Sequence, residues 1–92
     1  MSALPIIDYV FSEHARFELI RRGLSEEAVR AILLSPEQRI EVRPGRVVLQ
    51  SKVLLELPGT VFLLRVFVDV DRHPAEVVTA YRTSKVEKYW RT

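Results

Sequence analysis

The hydrophobic pattern of the chain changes its period near Ser35-Pro36, and this change constrains the fold more than any other feature. Up to Ile32 the apolar residues recur at intervals of three and four, which is the period of a helix that buries one face. From Ile40 onward they alternate with polar residues, which is the period of a half-buried strand. The chain is therefore predicted to place helices before strands, an order typical of α+β domains.

Two helices are predicted before the change of period, each with a start signal and a stop signal. Ser12 is a suitable N-cap for a helix that runs to about Arg22, where Gly23 supplies the stop. Ser25 caps the second helix. Ser35-Pro36 ends it, because the residue before a proline disfavours helical backbone.

Four strands are predicted after the helices, with turns at Pro44-Gly45, at Pro58-Gly59 and at residues 71–74. The longest strand runs from Val47 to Leu57. The next strand has an apolar face made by alternate residues, namely Phe62, Leu64, Val66, Val68 and Val70. In the last strand, Val77, Thr79 and Tyr81 are predicted to share one face. Short connections between consecutive strands imply an antiparallel meander, and the helices are expected to cover one of its faces.

The C-terminal residues combine cations with aromatic rings. Ser84, with Glu87 three residues later, is a capping-box signal for a terminal helix. The basic and aromatic residues of this segment are Tyr81, Arg82, Lys85, Lys88, Tyr89, Trp90 and Arg91. Single-stranded nucleic acids are bound by such a combination, since phosphates attract cations and bases stack on rings. The sequence therefore predicts an RNA-binding corner, with Lys88, Tyr89 and Arg91 in contact with RNA.

Composition places the chain among ordinary globular domains. Of its 92 residues 48% are hydrophobic and 28% are charged, so one domain over residues 1–92 is expected. The absence of cysteine excludes a disulfide framework and fits a reducing compartment. No apolar stretch approaches the ~20 residues of a membrane span, so a cytoplasmic protein without membrane association is expected. The net charge of +2 is too small by itself to predict nucleic-acid binding. That prediction rests instead on where the basic residues lie in the sequence.

Three segments of the chain resemble a small bacterial family of unknown function. They are HARF at residues 14–17, RRGLS at residues 21–25 and TAYRTSKVEKYW at residues 79–90. That family is similar in layout to the RelE, ParE and BrnT toxins of toxin–antitoxin pairs. The resemblance implies a RelE/BrnT-like two-layer domain: two N-terminal helices, a four-stranded antiparallel meander and a C-terminal helix. RelE-like and BrnT-like members cleave RNA, whereas ParE-like members act on gyrase. The chain departs from the pattern at Glu18, where the family often has an arginine.

Metal-independent cleavage of RNA requires a base, cations and an acid, and the chain offers candidates for each. His14 is the candidate base, because an unperturbed imidazole titrates near neutral pH. Arg82 and Lys85 are candidates to neutralise the phosphate. Tyr81 is a candidate to stack a base or to donate a proton. The scheme calls for no metal and no cofactor. A structural role is the alternative for His14, which can pair with Glu18 four residues on.

Three functions stay open from the sequence. The first is a toxin-type endoribonuclease that an antitoxin protein neutralises. The second is a non-catalytic module on the same scaffold that binds nucleic acid or protein. The third is an interaction subunit that forms a homodimer through a strand edge. Leu54, Leu63 and Phe67 favour the third, because they place apolar side chains on otherwise polar strand faces.

Overall fold

The computed structural model describes residues 3–54 and 59–92, and in those ranges it contains five strands and three helices. The strands are β1 (Tyr9–Phe11), β2 (Gln38–Arg43), β3 (Arg46–Leu54), β4 (Val61–Asp69) and β5 (Ala75–Thr83). The helices are α1 (Glu13–Arg22), α2 (Glu26–Leu34) and α3 (Val86–Tyr89). The predicted α+β class is confirmed. No helix in the described ranges combines the length and the apolar composition that crossing a bilayer requires.

The sheet has five strands in the order β1-β5-β4-β3-β2. Strands β2 to β5 pair antiparallel and form the predicted meander. The predicted sheet was one strand short, however, because β1 pairs parallel with β5, with Tyr9 opposite Ala75. A strand of three residues is too short to show an alternating pattern, and its partner lies near the other end of the chain. The sheet is therefore mixed.

The two long helices begin and end where their capping signals predicted. The Ser12 side chain accepts a hydrogen bond from the Ala15 amide at 2.9 Å, and Ser25 accepts one from the Ala28 amide at 3.1 Å. Gly23 follows α1 with φ of 67°, the left-handed conformation that a glycine adopts without strain. The turn at Pro44-Gly45 is also confirmed. The turn predicted at residues 71–74 is a bend between β4 and β5. The turn predicted at Pro58-Gly59 falls partly outside the described residues, and residues 55–57 of the predicted long strand lie outside them.

The hydrophobic core lies between α1, α2 and one face of the sheet. Its fully buried side chains include Leu19, Val29, Leu33, Leu49, Val66, Val68 and Val77. Burial of each such side chain contributes roughly 1.5–3 kcal/mol to folding. The predicted apolar face of β4 is confirmed, because Leu64, Val66 and Val68 all lie in this core.

A bulge in β5 corrects the predicted faces of that strand. Phe67 pairs with Thr79 but the next residue, Val68, pairs with Val77, so Val78 is the extra residue. A bulge interrupts the alternation of side chains. Val77 and Ala80 are therefore both buried in the core, whereas Tyr81 lies on the other face of the sheet. The prediction that Val77, Thr79 and Tyr81 share one face was wrong for this reason.

The C-terminal segment packs on the sheet face opposite α1 and α2. Helix α3 has only four residues, and its N-cap is Lys85 rather than Ser84, with no side-chain cap. The predicted capping box is not formed because the Thr83 hydroxyl accepts the Lys85 amide at 3.1 Å and takes up the turn before the helix. The main-chain oxygen of Tyr89 accepts a hydrogen bond from the Gln50 side chain at 3.1 Å. The chain's own C-terminus thus covers part of this second face.

Candidate nucleic-acid interface

The second sheet face carries a group of polar and aromatic side chains centred on Arg65. We call Gln50, Arg65, Phe67, Tyr81 and Tyr89 the Arg65 cluster. The sheet register places Arg65 of β4 between Gln50 of β3 and Tyr81 of β5. Because directly opposed residues project to the same face, their side chains meet there. Tyr89 reaches the cluster from α3.

Arg65 is held by hydrogen bonds on one edge and by rings around it. Its Nε donates to Gln50 Oε1 at 2.9 Å, and its Nη1 donates to the Tyr81 hydroxyl at 2.7 Å. The guanidinium lies 4.2 Å from the centroid of the Tyr89 ring and 5.3 Å from that of Phe67. Aromatic rings at these distances attract a cation. The side chain is therefore fixed in one orientation.

The charge of Arg65 has no acidic partner among the residues that the structure describes. Both of its hydrogen-bond acceptors are neutral, and no carboxylate of the described residues lies within ion-pair distance of it. Its Nη2 donates no hydrogen bond to the described residues. Partly buried charges are normally paired. The cluster is therefore a preorganised cation with an unused donor.

Gln50 is the residue that ties the cluster together. Its side chain is fully buried, and its Nε2 donates to Gln38 Oε1 at 2.7 Å and to the Tyr89 main-chain oxygen at 3.1 Å. These two bonds use both amide protons and direct Oε1 toward Arg65. Gln38 in turn accepts a hydrogen bond from the Arg91 amide at 3.1 Å. A buried amide is tolerated here because every polar atom is satisfied.

The Tyr89 phenol is the most electrostatically perturbed group of the cluster. The positive charge of Lys88 lowers the pKa of Tyr89 below the ordinary value of a tyrosine, against the opposing effect of burial. The nearby Tyr81 hydroxyl and the charge of Arg65 also lower the pKa of Tyr89. The Tyr81 and Tyr89 ring centroids are 6.4 Å apart. A phenol in this setting gives up its proton more readily than a tyrosine in water.

Three of the residues predicted from the sequence meet at this site, and a fourth lies beside it. Tyr81 and Tyr89 lie against Arg65, Lys88 lies against the Tyr89 ring, and Lys85 lines the same shallow surface depression as Lys88. Arg91 contributes its main chain to the contact with Gln38. Lys52 of β3 extends the surface, since its Nζ lies 4.1 Å from the centroid of the Trp90 ring.

Arg82 lies on the opposite face of the sheet from Tyr81. Its guanidinium is 5.8 Å from the Phe62 ring, on the side that α1 and α2 cover. Adjacent residues of a strand project to opposite faces of the sheet, so the side chains of Tyr81 and Arg82 do not lie on the same surface. The structure therefore does not bring Arg82 into the Arg65 cluster.

His14 forms a separate group on α1. Its side chain is 69% exposed, and its Nε2 lies 3.6 Å from Glu18 Oε1. Glu18 also binds Arg21 at 2.7 Å, and this hydrogen bond lowers the pKa of Glu18. No hydrogen bond, ion pair or ring contact joins His14 to Arg82, Lys85 or Tyr81 in the described part of the chain. The contact observed is the pairing with Glu18 that a structural role predicts.

Sequence reasoning missed Arg65 and Gln50. The only local signal was a cation flanked by Leu63 and Phe67 on the predicted polar face of the strand. Their contact depends on the register of β3 and β4, which the sequence did not specify. For metals, no group of three or more His, Asp or Glu side chains suited to hold an ion occurs within residues 3–54 and 59–92.

The chain belongs to a family described as a domain of unknown function, DUF4258, whose model matches residues 11–82. The matched range includes Gln50, Arg65 and Tyr81 and ends before Lys88 and Tyr89. No curated protein and no solved structure matches the chain. The family match assigns no activity and provides no link to the RelE, ParE or BrnT toxins, so that resemblance stays a prediction.

Proposed function

We propose that the chain binds single-stranded RNA on the sheet face that carries the Arg65 cluster. The observation that carries this proposal is the Arg65 guanidinium, which is fixed among aromatic rings and, in the described ranges, has only neutral hydrogen-bond partners. An RNA phosphate supplies the missing anion and accepts from the unused Nη2. Lys88, whose Nζ lies 5.3 Å from the centroid of the Tyr89 ring, adds a second cation.

The aromatic residues favour a single strand over a duplex. Phe67, Tyr81 and Tyr89 are each partly exposed around the cation. Stacking on such rings requires unpaired bases, and it is tolerant of base identity because every base has a stacking face. The proposal therefore predicts RNA binding that depends strongly on salt and weakly on sequence.

Lys88→Gln tests the proposal with little risk to folding, because Lys88 is exposed. Fluorescence anisotropy with a labelled single-stranded RNA, repeated between about 50 and 200 mM salt, measures both affinity and its salt dependence. We expect weaker binding for every RNA sequence and a salt slope that falls by about 0.7, the loss of one phosphate contact. Arg65→Lys should also weaken binding, since an ammonium group cannot contact Gln50, Tyr81 and a phosphate in the same plane.

The matched control is Arg43→Gln, which removes one charge from the exposed end of β2. It should retain the affinity of the unmodified chain. Equal weakening by Lys88→Gln and Arg43→Gln would show a general charge effect and contradict a site. Absence of binding at about 100 µM, the weak limit of ordinary non-specific affinity, would contradict the proposal altogether.

Metal-independent cleavage of the bound RNA is a second candidate function, favoured by the lowered pKa of Tyr89 beside the Tyr81 hydroxyl. In this scheme the Tyr89 phenolate removes the proton of a ribose 2′-hydroxyl, and the resulting oxygen attacks the adjacent phosphorus. Arg65 neutralises the charge of the phosphorane. The bond to the 5′-oxygen breaks, and Tyr81 protonates that oxygen. The products are a 2′,3′-cyclic phosphate and a 5′-hydroxyl.

Tyr89→Phe tests the cleavage scheme, because it keeps the ring and removes the base. With EDTA present, the unmodified chain should cleave RNA at a rate that rises with pH and levels off below the ordinary tyrosine value of about 10. The variant should bind RNA with similar affinity and cleave it at least about 100-fold more slowly, the usual contribution of a general base. Equal cleavage rates at equal RNA affinity would contradict the scheme.

Action as a toxin, with an antitoxin protein as partner, is the finer function that the sequence resemblance implies. Induced expression in bacteria should then slow growth. Relief by Tyr89→Phe would support the Arg65 cluster as the active site, whereas relief by His14→Ala or Arg82→Ala alone would support the residues that the sequence singled out. Harmless expression of the unmodified chain would contradict the toxin function and leave RNA binding untouched.

A further inference from the structure

An apolar cleft opens on the helix side of the sheet, where the loop between α1 and α2 passes over the strands. It encloses about 210 Å³. The residues that line it are Gly23, Leu24, Ala28, Val53, Leu64 and Arg82. Five of these six residues present only apolar or backbone groups, so the cleft is a hydrophobic surface with a single charge.

That charge, on Arg82, has no partner among residues 3–54 and 59–92. Arg82 is exposed, and in the described part of the chain its side chain takes part in no hydrogen bond and no ion pair. Its guanidinium lies 5.8 Å from the centroid of the Phe62 ring. The nearby Arg22 differs, because its Nη1 donates a hydrogen bond to the Ala80 main-chain oxygen at 2.8 Å. Arg82 is thus the cation of this cleft that is open to an external carboxylate.

The size of the cleft decides what kind of occupant fits. A site for a typical small-molecule ligand encloses about 300–1,000 Å³, which exceeds this cleft. One large apolar side chain is a better fit, and a pocket that takes one such side chain beside a charge is the usual anchor of a protein interface.

We propose that this cleft anchors one large apolar side chain of an acidic peptide segment in a protein partner, with Arg82 pairing to a neighbouring carboxylate of that segment. The site lies on the opposite face of the sheet from the Arg65 cluster. Partner binding is therefore independent of RNA binding, and either proposal can fail alone.

Nuclear magnetic resonance on the full chain labelled with ¹⁵N tests the proposal. The probe is a short capped peptide with one central leucine flanked by glutamates. We expect it to shift the amide signals of Gly23, Leu24, Ala28 and Val53. Arg82→Gln should weaken binding about tenfold or more, the usual effect of losing a charge-assisted hydrogen bond. Ala28→Leu, which fills the cleft, should weaken it as well.

The controls separate the apolar anchor from simple charge attraction. Arg43→Gln should bind the peptide like the unmodified chain. A peptide with alanine for the central leucine, and one with glutamines for the glutamates, should each bind more weakly. Three results would overturn the proposal: no shift of the cleft signals, equal affinity for the Arg82→Gln variant, or tighter binding of octanoate than of the peptide, which would assign the cleft to a small carboxylic acid. Circular dichroism melting confirms that each variant is folded.

Discussion

Arg65 and Arg46 lie on neighbouring strands and differ in whether their hydrogen-bond acceptors are neutral or charged. Arg65 of β4 donates to Gln50 and Tyr81, both neutral. Arg46 of β3 instead faces Asp69, to which it donates from Nε at 2.6 Å and from Nη2 at 3.1 Å. The second arrangement is a structural ion pair, whereas the first is the one that we propose binds a phosphate.

Asp69→Asn should destabilise the fold in a way that depends on pH. Asp69 is buried, and the hydrogen bond from Arg46 lowers the pKa of Asp69 in the folded state. A lowered folded pKa gives stability that is complete above the unfolded value of about 3.9 and is lost as the pH falls through the folded value. The substitution should cost about 2 kcal/mol at neutral pH.

Urea unfolding of the unmodified chain and the Asp69→Asn variant, at neutral pH and in acid, measures this effect. The difference in free energy of unfolding should shrink in acid, because protonation of Asp69 then removes the same charge that the substitution removes. A difference that stays constant with pH would show that the Arg46–Asp69 pair contributes packing alone.

Among the elements, those with local signals were predictable and those that depend on distant contacts were not. The caps of α1 and α2 use bonds between residues three apart, so Ser12 and Ser25 were identified from the sequence. Strand β1 exists only through its pairing with β5. Helix α3 owes its position to the contacts of Tyr89 with Gln50 and Arg65, which the sequence did not reveal.

Substituting Ser12 and Ser84 in parallel separates the cap that forms from the one that does not. Ser12→Ala should lower the free energy of unfolding by about 1 kcal/mol, because the Ala15 amide loses its acceptor. Ser84→Ala should have little effect, since α3 has no side-chain cap. Denaturant melts of both variants give the comparison. A similar cost for both would mean that Ser84 caps α3 in solution.

At the scale of the whole molecule, the two sheet faces divide structure from proposed function. One face packs against α1 and α2 and forms the core, and the other carries the Arg65 cluster beneath the C-terminal segment. Tyr81, Lys88 and Tyr89 were identified from the sequence because they lie in one C-terminal segment rich in basic and aromatic residues. The sequence did not show that Val77 and Tyr81 lie on opposite faces of the sheet, because that requires the position of the bulge at Val78.

Crosslinking of RNA to the chain by ultraviolet light, followed by mass spectrometry of the crosslinked peptides, tests the proposed RNA face most directly. RNA bound at the Arg65 cluster should crosslink to Tyr81 and Tyr89. Phe17 is the internal control, because it is a 63% exposed ring on α1, outside the Arg65 cluster. Crosslinks at Phe17 without any at Tyr81 or Tyr89 would show that RNA binds elsewhere and would contradict RNA binding at the Arg65 cluster.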